Sequence, residues 1–489
     1  MASTQDYPLH VAIVGAGITG INLALGLQAR NVRFTLYERA PGIREIGAGI
    51  GFSPNAEKAM ALLDRDILTT FKAIANPNGQ DWFQWVDGYH SNELIFKLYM
   101  GESGFQGCRR QDVLEAWAKL VKLSPGSGSD SDSSGSMQFN KELVSISSSP
   151  SQLLLHFQDG TTAPADVVVG ADGIRSRVRR LLVPPSSPAA RNPGYTRKFC
   201  FRALVPMSAA LPVLGPDRAL TRFMYVGRGA HVVTYPVAGS TQLNVLAVVS
   251  DAREGGWPDE RRHTAPGRRE EAEEAFGEWH ATVRAIVGLL PEKMDKWGIF
   301  DLAERPLPLG TEGGGKGDGK SEGKGETKEE EEEEIRGYAK GRVALAGDAA
   351  HATGPHLGAG AGMGIEDALA LSELLAAVQR RVAGLKDEEA DGEQKEARKK
   401  KLIEQALRVY TDVRYERAQD VVQSTRKACE LFHWKDPEVA RDPKRFGDEI
   451  TPRFHKIWEY DLEGMVKEAL RLFESRTISL RVPRKGTRI

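Results

Sequence analysis

The residues best placed for chemistry in this chain are glycines and the acids that follow them. Val11-Ala12-Ile13-Val14-Gly15-Ala16-Gly17-Ile18-Thr19-Gly20 passes from an apolar run into a GxGxxG spacing. An amphipathic run to Ala29 follows, then a second apolar run, Phe34 to Tyr37, that ends at Glu38. This order predicts a strand, a tight turn, a helix and a parallel strand. Gly15 permits the turn, Gly17 lets a pyrophosphate approach the backbone, and Gly20 lets the helix pack on the strand. The helix N-terminus would face the phosphates with free N–H groups and about half a positive charge. Glu38 stands where ribose hydroxyls would donate to it. The implied chemistry is dinucleotide binding, and this segment alone does not separate a nicotinamide from a flavin.

The flavin is distinguished further along. Arg342-Val343-Ala344-Leu345-Ala346-Gly347-Asp348 is a short apolar strand ending in Gly-Asp, where Asp348 can bind the ribityl hydroxyls. Pro355-His356-Leu357-Gly358-Ala359-Gly360-Ala361-Gly362-Met363-Gly364 then leads into a helix-like run from Ile365 to Ala376. Small residues such as Ala361 let the backbone lie against the edge of a ring system. The helix dipole would stabilise the negative charge of a reduced flavin there. Between these two segments lies a third, Val167-Val168-Val169-Gly170-Ala171-Asp172-Gly173-Ile174-Arg175. In this order the three describe a chain that wraps one FAD from end to end.

On these motifs the chain resembles the single-component FAD-dependent aromatic hydroxylases, the para-hydroxybenzoate and salicylate hydroxylase class. The resemblance implies an α/β fold in which a Rossmann-like FAD-binding domain is interleaved with a β-sheet substrate domain, followed by a helical C-terminus. It implies that Asp172 and Arg175 serve the flavin and a transient NADPH or NADH. In Cys108-Arg109-Arg110-Gln111-Asp112-Val113-Leu114, Arg110 takes the flavin-contacting position, although the adjacent Arg109 leaves open which arginine reaches the cofactor. Gly51, in Glu45 to Ala56, is the expected backbone contact beside the isoalloxazine. Gly358-Ala359-Gly360 stands where the family has Gly-Gln-Gly.

Within that class the chain is most similar to the fungal dearomatising phenol hydroxylases of tropolone, azaphilone and sorbicillinoid pathways. The stretches that carry this are Trp85 to His90, Phe201 to Leu204, His231 to Val237 and His455 to Trp458. By that resemblance Arg202 and Tyr235 hold a substrate phenolate, which a flavin C4a-hydroperoxide then hydroxylates. Electrostatics agrees: a phenol with a pKa of about 10 is lowered by roughly 1–3 units beside a fixed cation. A guanidinium is always charged. If oxygen is added at a substituted carbon, the ring cannot rearomatise. If that carbon bears a carboxylate, decarboxylation restores the ring, as in salicylate hydroxylase. Epoxidation of a non-aromatic substrate is a further alternative, which Arg202 and Tyr235 disfavour.

The rest of the chain bounds the reading. It has 489 residues, 40% hydrophobic and 27% charged, with net charge −1, so nothing in it favours nucleic acid. The N-terminal residues Met1 to Pro8 are polar, and the run from Val11 to Leu27 is broken by glycines and by Asn22. The expectation is a cytoplasmic enzyme, monomer or homodimer, with no membrane span. Cys108, Cys200 and Cys429 read as free thiols. His351 and His356 are not expected to form a metal site, because no cysteine or carboxylate set completes one. The predicted layout is an FAD-binding part over 9–184, a β-rich substrate domain over 195–309, the rest of the FAD domain over 335–383 and helices over 402–489. Ser124 to Ser136 is a low-complexity loop, and a charged stretch from Gly384 to Lys400 separates two helices. The insertion at 311–334 carries ten acidic residues against four lysines and must project into solvent.

Overall fold

The computed structural model describes residues 8–43, 48–101, 104–122, 135–149, 151–259, 261–309, 335–384 and 392–480. The acidic insertion at 311–334 and most of the 124–136 loop lie outside them; Gly135 and Ser136 belong to a short strand, Gly135–Gln138.

Two sheets organise the chain. In the first, the apolar strand His10–Val14 is central. It pairs in parallel with Arg33–Tyr37 on one side and with Val167–Gly170 on the other. Val343–Leu345 then adds in parallel to Val167–Gly170. Each of the three glycine motifs therefore leaves the same end of one parallel sheet, although more than 300 residues separate the first from the last. Near-continuous apolar runs suit strands covered on both faces. The Ile18–Ala29 helix and the long Gly360–Ala383 helix pack together against this sheet.

The second sheet has eight strands. Its middle runs Lys293–Asp301, Gly194–Pro206, Gln242–Ser250, Ala230–Val237 and Phe223–Gly227, all antiparallel neighbours. Trp82–Asp87 joins in parallel beside Phe223–Gly227. Alternation sorts its side chains. Phe201, Tyr225, Val232 and Val245 face a separate core built with the helices over 207–219 and 281–288. Met224, Val233 and Tyr235 face the FAD half and join its core. The interleaved two-domain α/β architecture is thus present.

The C-terminal helices are present and reach across both halves. The first, Gly392–Phe432, begins inside the stretch expected to be a charged linker, and Lys399 there is anchored to Asp166 at 2.7 Å. Pro443–Trp458 lies against the sheet strand Leu94–Tyr99, while Leu462–Arg476 packs on Gly360–Ala383. Among the described residues no helix is long and apolar enough to cross a membrane.

Candidate active site

A cleft of about 610 Å³ opens at the end of the parallel sheet, lined by Gly15, Ala16, Gly17, Glu38, Arg39, Arg110, Asp172, Gly173, Arg175, Arg177 and Arg180 among others. Gly15 has φ +106°, and a Cβ there would stand 2.5 Å from the Ala171 carbonyl oxygen, so the turn needs glycine. A Cβ on Gly20 would stand 1.9 Å from the Gly15 oxygen, which is why helix and turn can touch. A Cβ on Gly17 would meet nothing within 4 Å: that glycine borders open space. An open glycine edge, an unpaired helix start and several arginines suit the pyrophosphate of FAD.

Glu38 and Asp172 shape this cleft from within. The Glu38 carboxylate accepts from the Ala16 and Ala40 N–H groups, each at 2.8 Å, and so holds the glycine turn. Asp172 accepts from Ser176 Oγ at 2.5 Å and from the Arg177 and Val178 N–H groups at 2.6 and 3.1 Å. Burial pushes its carboxyl up from the ordinary value, and these three donors oppose that. Of the two adjacent arginines, Arg110 lines the cleft, whereas Arg109 pairs with Asp112 at 3.7 Å.

The other residues expected to meet the cofactor lie further along the fold. Gly347, at φ +61°, precedes the exposed Asp348. Ala361 sits in the first turn of the Gly360–Ala383 helix, and a Cβ on Gly360 would stand 3.9 Å from the Asp348 carboxylate. Asp348 and that helix start therefore face one place. Gly51 is buried in a short ribbon with Gly107, and the ring of Phe105 fills the space that its missing side chain leaves.

Buried charges that the sequence reading passed over lock these motifs together. Asp367 accepts from the Gly347 N–H at 2.8 Å and contacts His351 at 2.6 Å. Arg414 meets Asp367 at 2.8 Å and Glu366 at 2.6 Å, Arg417 meets Glu366 at 3.2 Å, and Asn55 donates to Glu366 at 2.7 Å. Burial alone would push Asp367 up, but His351 and Arg414 hold it well below the usual range; burial likewise opposes Arg414 and Arg417 at Glu366, whose carboxyl they lower. Arg179 donates to the Ile174 and Ala349 carbonyls at 2.7 and 2.9 Å, joining the second motif to the third. The signal for the first cluster was legible: Glu366-Asp367 interrupts an otherwise apolar helix.

On the sheet, Arg202 and Tyr235 come onto one face. Arg202 registers with Leu246, Leu246 with Val233, and Tyr235 lies two residues beyond Val233. The Arg202 guanidinium lies 5.2 Å from the Trp297 ring, and its buried Nε is without a hydrogen-bond partner. Burial pushes the Tyr235 hydroxyl up to about 12, so it remains a donor at neutral pH. On the same face, His231 Nδ1 and His433 Nε2 are 2.8 Å apart, and burial keeps both rings neutral. One expectation is corrected here. A cysteine does approach His356: one ring nitrogen of His356, one of His231 and the Cys429 sulfur fall within 4.8 Å of one another. The cysteine arrives on a distant helix, which spacing could not reveal.

Comparison with known proteins fits this site. Residues 324–406 match the FAD binding domain family. The chain is 42% identical over 480 residues to the FAD-dependent monooxygenase orf3 of Aspergillus niger, covering 96% of this chain and 97% of that one. It is 41% identical to the FAD-dependent monooxygenase pigN of Monascus ruber, over 97% and 99% of the two chains. The salicylate hydroxylase asL1 of Sarocladium schorii is 37% identical over 97% and 93%. Among solved structures, a salicylate hydroxylase substrate complex superimposes with a TM-score of 0.73 at 29% identity, over 95% of this chain and 98% of that one. With a glycine-edged cleft suited to a dinucleotide and whole-length likeness to such enzymes, the chain belongs to the fungal FAD-dependent monooxygenases, oxidoreductases that use FAD, O2 and a reduced nicotinamide.

Proposed function

We propose that this monooxygenase hydroxylates a phenol of the resorcinol type, held as its phenolate by Arg202 and Tyr235, with loss of aromaticity when oxygen enters at a substituted carbon. The observation that carries this reading is the face shared by Arg202 and Tyr235, turned towards the FAD half, where a guanidinium without a carboxylate partner among the described residues lies near a protonated tyrosine. A fixed cation at this face favours the ionised form of a phenol that binds beside it.

Each group then has a distinct task. Arg202 favours the ionised ring, which is electron-rich and therefore reactive towards electrophilic oxygen. Tyr235 donates to the same oxygen and orients it. Gly15, Gly17, Gly20, Glu38, Arg110 and Asp172 would hold the adenosine and pyrophosphate end of FAD, and Gly51, Gly347, Asp348 and Ala361 its flavin end. Bound FAD, reduced by NADPH or NADH, supplies the activated oxygen. One atom of O2 enters the ring and the other leaves as water, with the two electrons drawn from the nicotinamide.

Decarboxylating hydroxylation of salicylate is the second reading, favoured by the likeness to salicylate hydroxylases. Product mass spectrometry separates the two. The purified FAD-loaded protein is given NADPH with orcinaldehyde in one tube and salicylate in another. A product with one added oxygen and no aromatic absorbance, from orcinaldehyde, is expected. Catechol and carbon dioxide from salicylate, with orcinaldehyde untouched, would replace the first reading with the second.

A further inference from the structure

A second arginine, which the sequence reading did not single out, stands beside Tyr235. Arg222 immediately precedes the Phe223–Gly227 strand, whose register continues to place it opposite Tyr235. It is only 6% exposed. Its guanidinium lies 3.2 Å from the centre of the Phe105 ring, 4.8 Å from that of Phe83 and 5.1 Å from that of Tyr235. Among the described residues its side chain has no hydrogen bond and no ion pair, and its Nε is buried without a partner. Its backbone N–H donates to Asn78 Oδ1 at 2.7 Å. Burial lowers its pKa to about 9, so it still carries its charge at neutral pH.

Aromatic faces alone do not compensate a desolvated cation, since an exposed cation–π contact contributes only about 0.5–1 kcal/mol and a desolvated one about 2. Other buried arginines of this molecule are met by oxygen acceptors: Arg414 and Arg417 by carboxylates, Arg179 by backbone carbonyls. Here the Tyr235 hydroxyl feels both Arg222 and Arg202, and neither has a carboxylate partner among the described residues. A cavity of about 10 Å³ lies against Arg222, Tyr235, Phe105 and Gly107. That is room for about one water-sized group: an oxygen atom, not a ring.

We propose that Arg222 is a second anion anchor of the substrate site, and that the substrate is a phenol whose negative charge is shared between a ring oxygen and a conjugated carbonyl oxygen. Arg202 takes one oxygen, Arg222 takes the other, and Tyr235 stands between them. An ortho- or para-acyl phenolate has this charge distribution; a phenol without an acyl group offers only one such oxygen. The inference rests on the proposed function and narrows its substrate class.

The test compares orcinaldehyde with orcinol, which lacks the carbonyl, on FAD-loaded wild type, Arg222→Met and Arg222→Lys. Binding is read from the flavin absorbance change and stability from the Tm. Arg222→Met should raise the Kd for orcinaldehyde by about 10- to 100-fold, the effect of one charged hydrogen bond, and change that for orcinol less than about 3-fold. Its ligand-free Tm should stay level or rise, because an uncompensated buried charge has been removed. Arg222→Lys should keep part of the preference for orcinaldehyde. Equal losses for both phenols, unchanged affinity for both, a lower Tm with normal binding, or loss of FAD from the Met variant would each overturn the inference. If wild type itself neither binds nor oxidises orcinaldehyde, the proposed function falls instead.

Discussion

Arg414 and Arg222 are both buried arginines in the same chain, and they are buried on opposite terms. Arg414 meets Glu366 and Asp367 within 2.8 Å and is raised well above its ordinary pKa; burial opposes that shift and the two carboxylates outweigh it. Arg222 has aromatic rings around it and no anion among the described residues, and burial lowers its pKa. The first belongs to a closed network that pins the Gly347 turn; the second belongs to a surface whose charge balance is left incomplete. Full compensation marks the part of the molecule that must not move when the cofactor binds. Incomplete compensation marks the part that waits for a ligand. Arg202, on the same sheet face, is half-buried and has no carboxylate partner among the described residues.

The largest test of this contrast is Arg414→Met. It leaves two carboxylates buried with too little positive charge, and breaking such a network costs about 3–5 kcal/mol. Chemical denaturation should show that loss, with FAD released early; an unchanged midpoint would end the idea that the network is structural. The same groups set an acid limit. Asp367 and Glu366 titrate below their ordinary values in the folded protein. Their contribution is therefore complete above the unfolded carboxylate pKa of about 4 and is lost as pH falls through the lower folded values. Stability measured against pH should decline on the acid side, and less steeply in a variant lacking Asp367.

Next in size is Arg202→Ala. FAD should stay bound while hydroxylation falls about 10- to 1,000-fold, the equivalent of the 1–3 pKa units a fixed cation gives a phenolate. Normal turnover in that variant would remove Arg202 from the substrate site.

Two glycines of the first motif sharpen the comparison inside the cofactor half. Gly15→Ala forces a positive φ on a side chain that collides with the Ala171 backbone, so it should lower the Tm even without ligand, by an amount corresponding to about 1–3 kcal/mol. Gly17→Ala points into open space, so it should leave the ligand-free Tm alone and weaken FAD binding. Equal effects of the two on Tm would contradict their placement. The smallest expected effect is that of Glu38→Gln. An amide keeps one acceptor for the two N–H groups that the carboxylate holds, a loss of about 1 kcal/mol, read as a roughly 5-fold rise in the FAD Kd.

The glycine motifs were legible because their constraint is local. A positive φ, a close approach or a helix start each demands a residue type at one spacing, and Gly15, Gly20 and Gly347 stand in the backbone positions that spacing implied. Alternation in Phe199 to Val205 and Ala230 to Val237 likewise exposed the sheet. Resemblance put Arg110 at the flavin-contacting position, but the sequence left open whether Arg109 reaches the cofactor instead, because adjacent residues at a helix start differ only in direction. It could not foresee Phe105 filling the space beside Gly51, nor Cys429 arriving next to His356.

Local chemistry in the sequence thus determined that this chain carries strand–turn–helix dinucleotide motifs and a β-rich insert between them. Tertiary structure decided which charges are paired. Arg202, Arg222 and Arg414 look alike in the sequence, and whether a carboxylate lies within reach depends on strands and helices far apart in the chain. Coulomb attraction and desolvation are set by distance and burial in the folded state, and neither can be read from order alone.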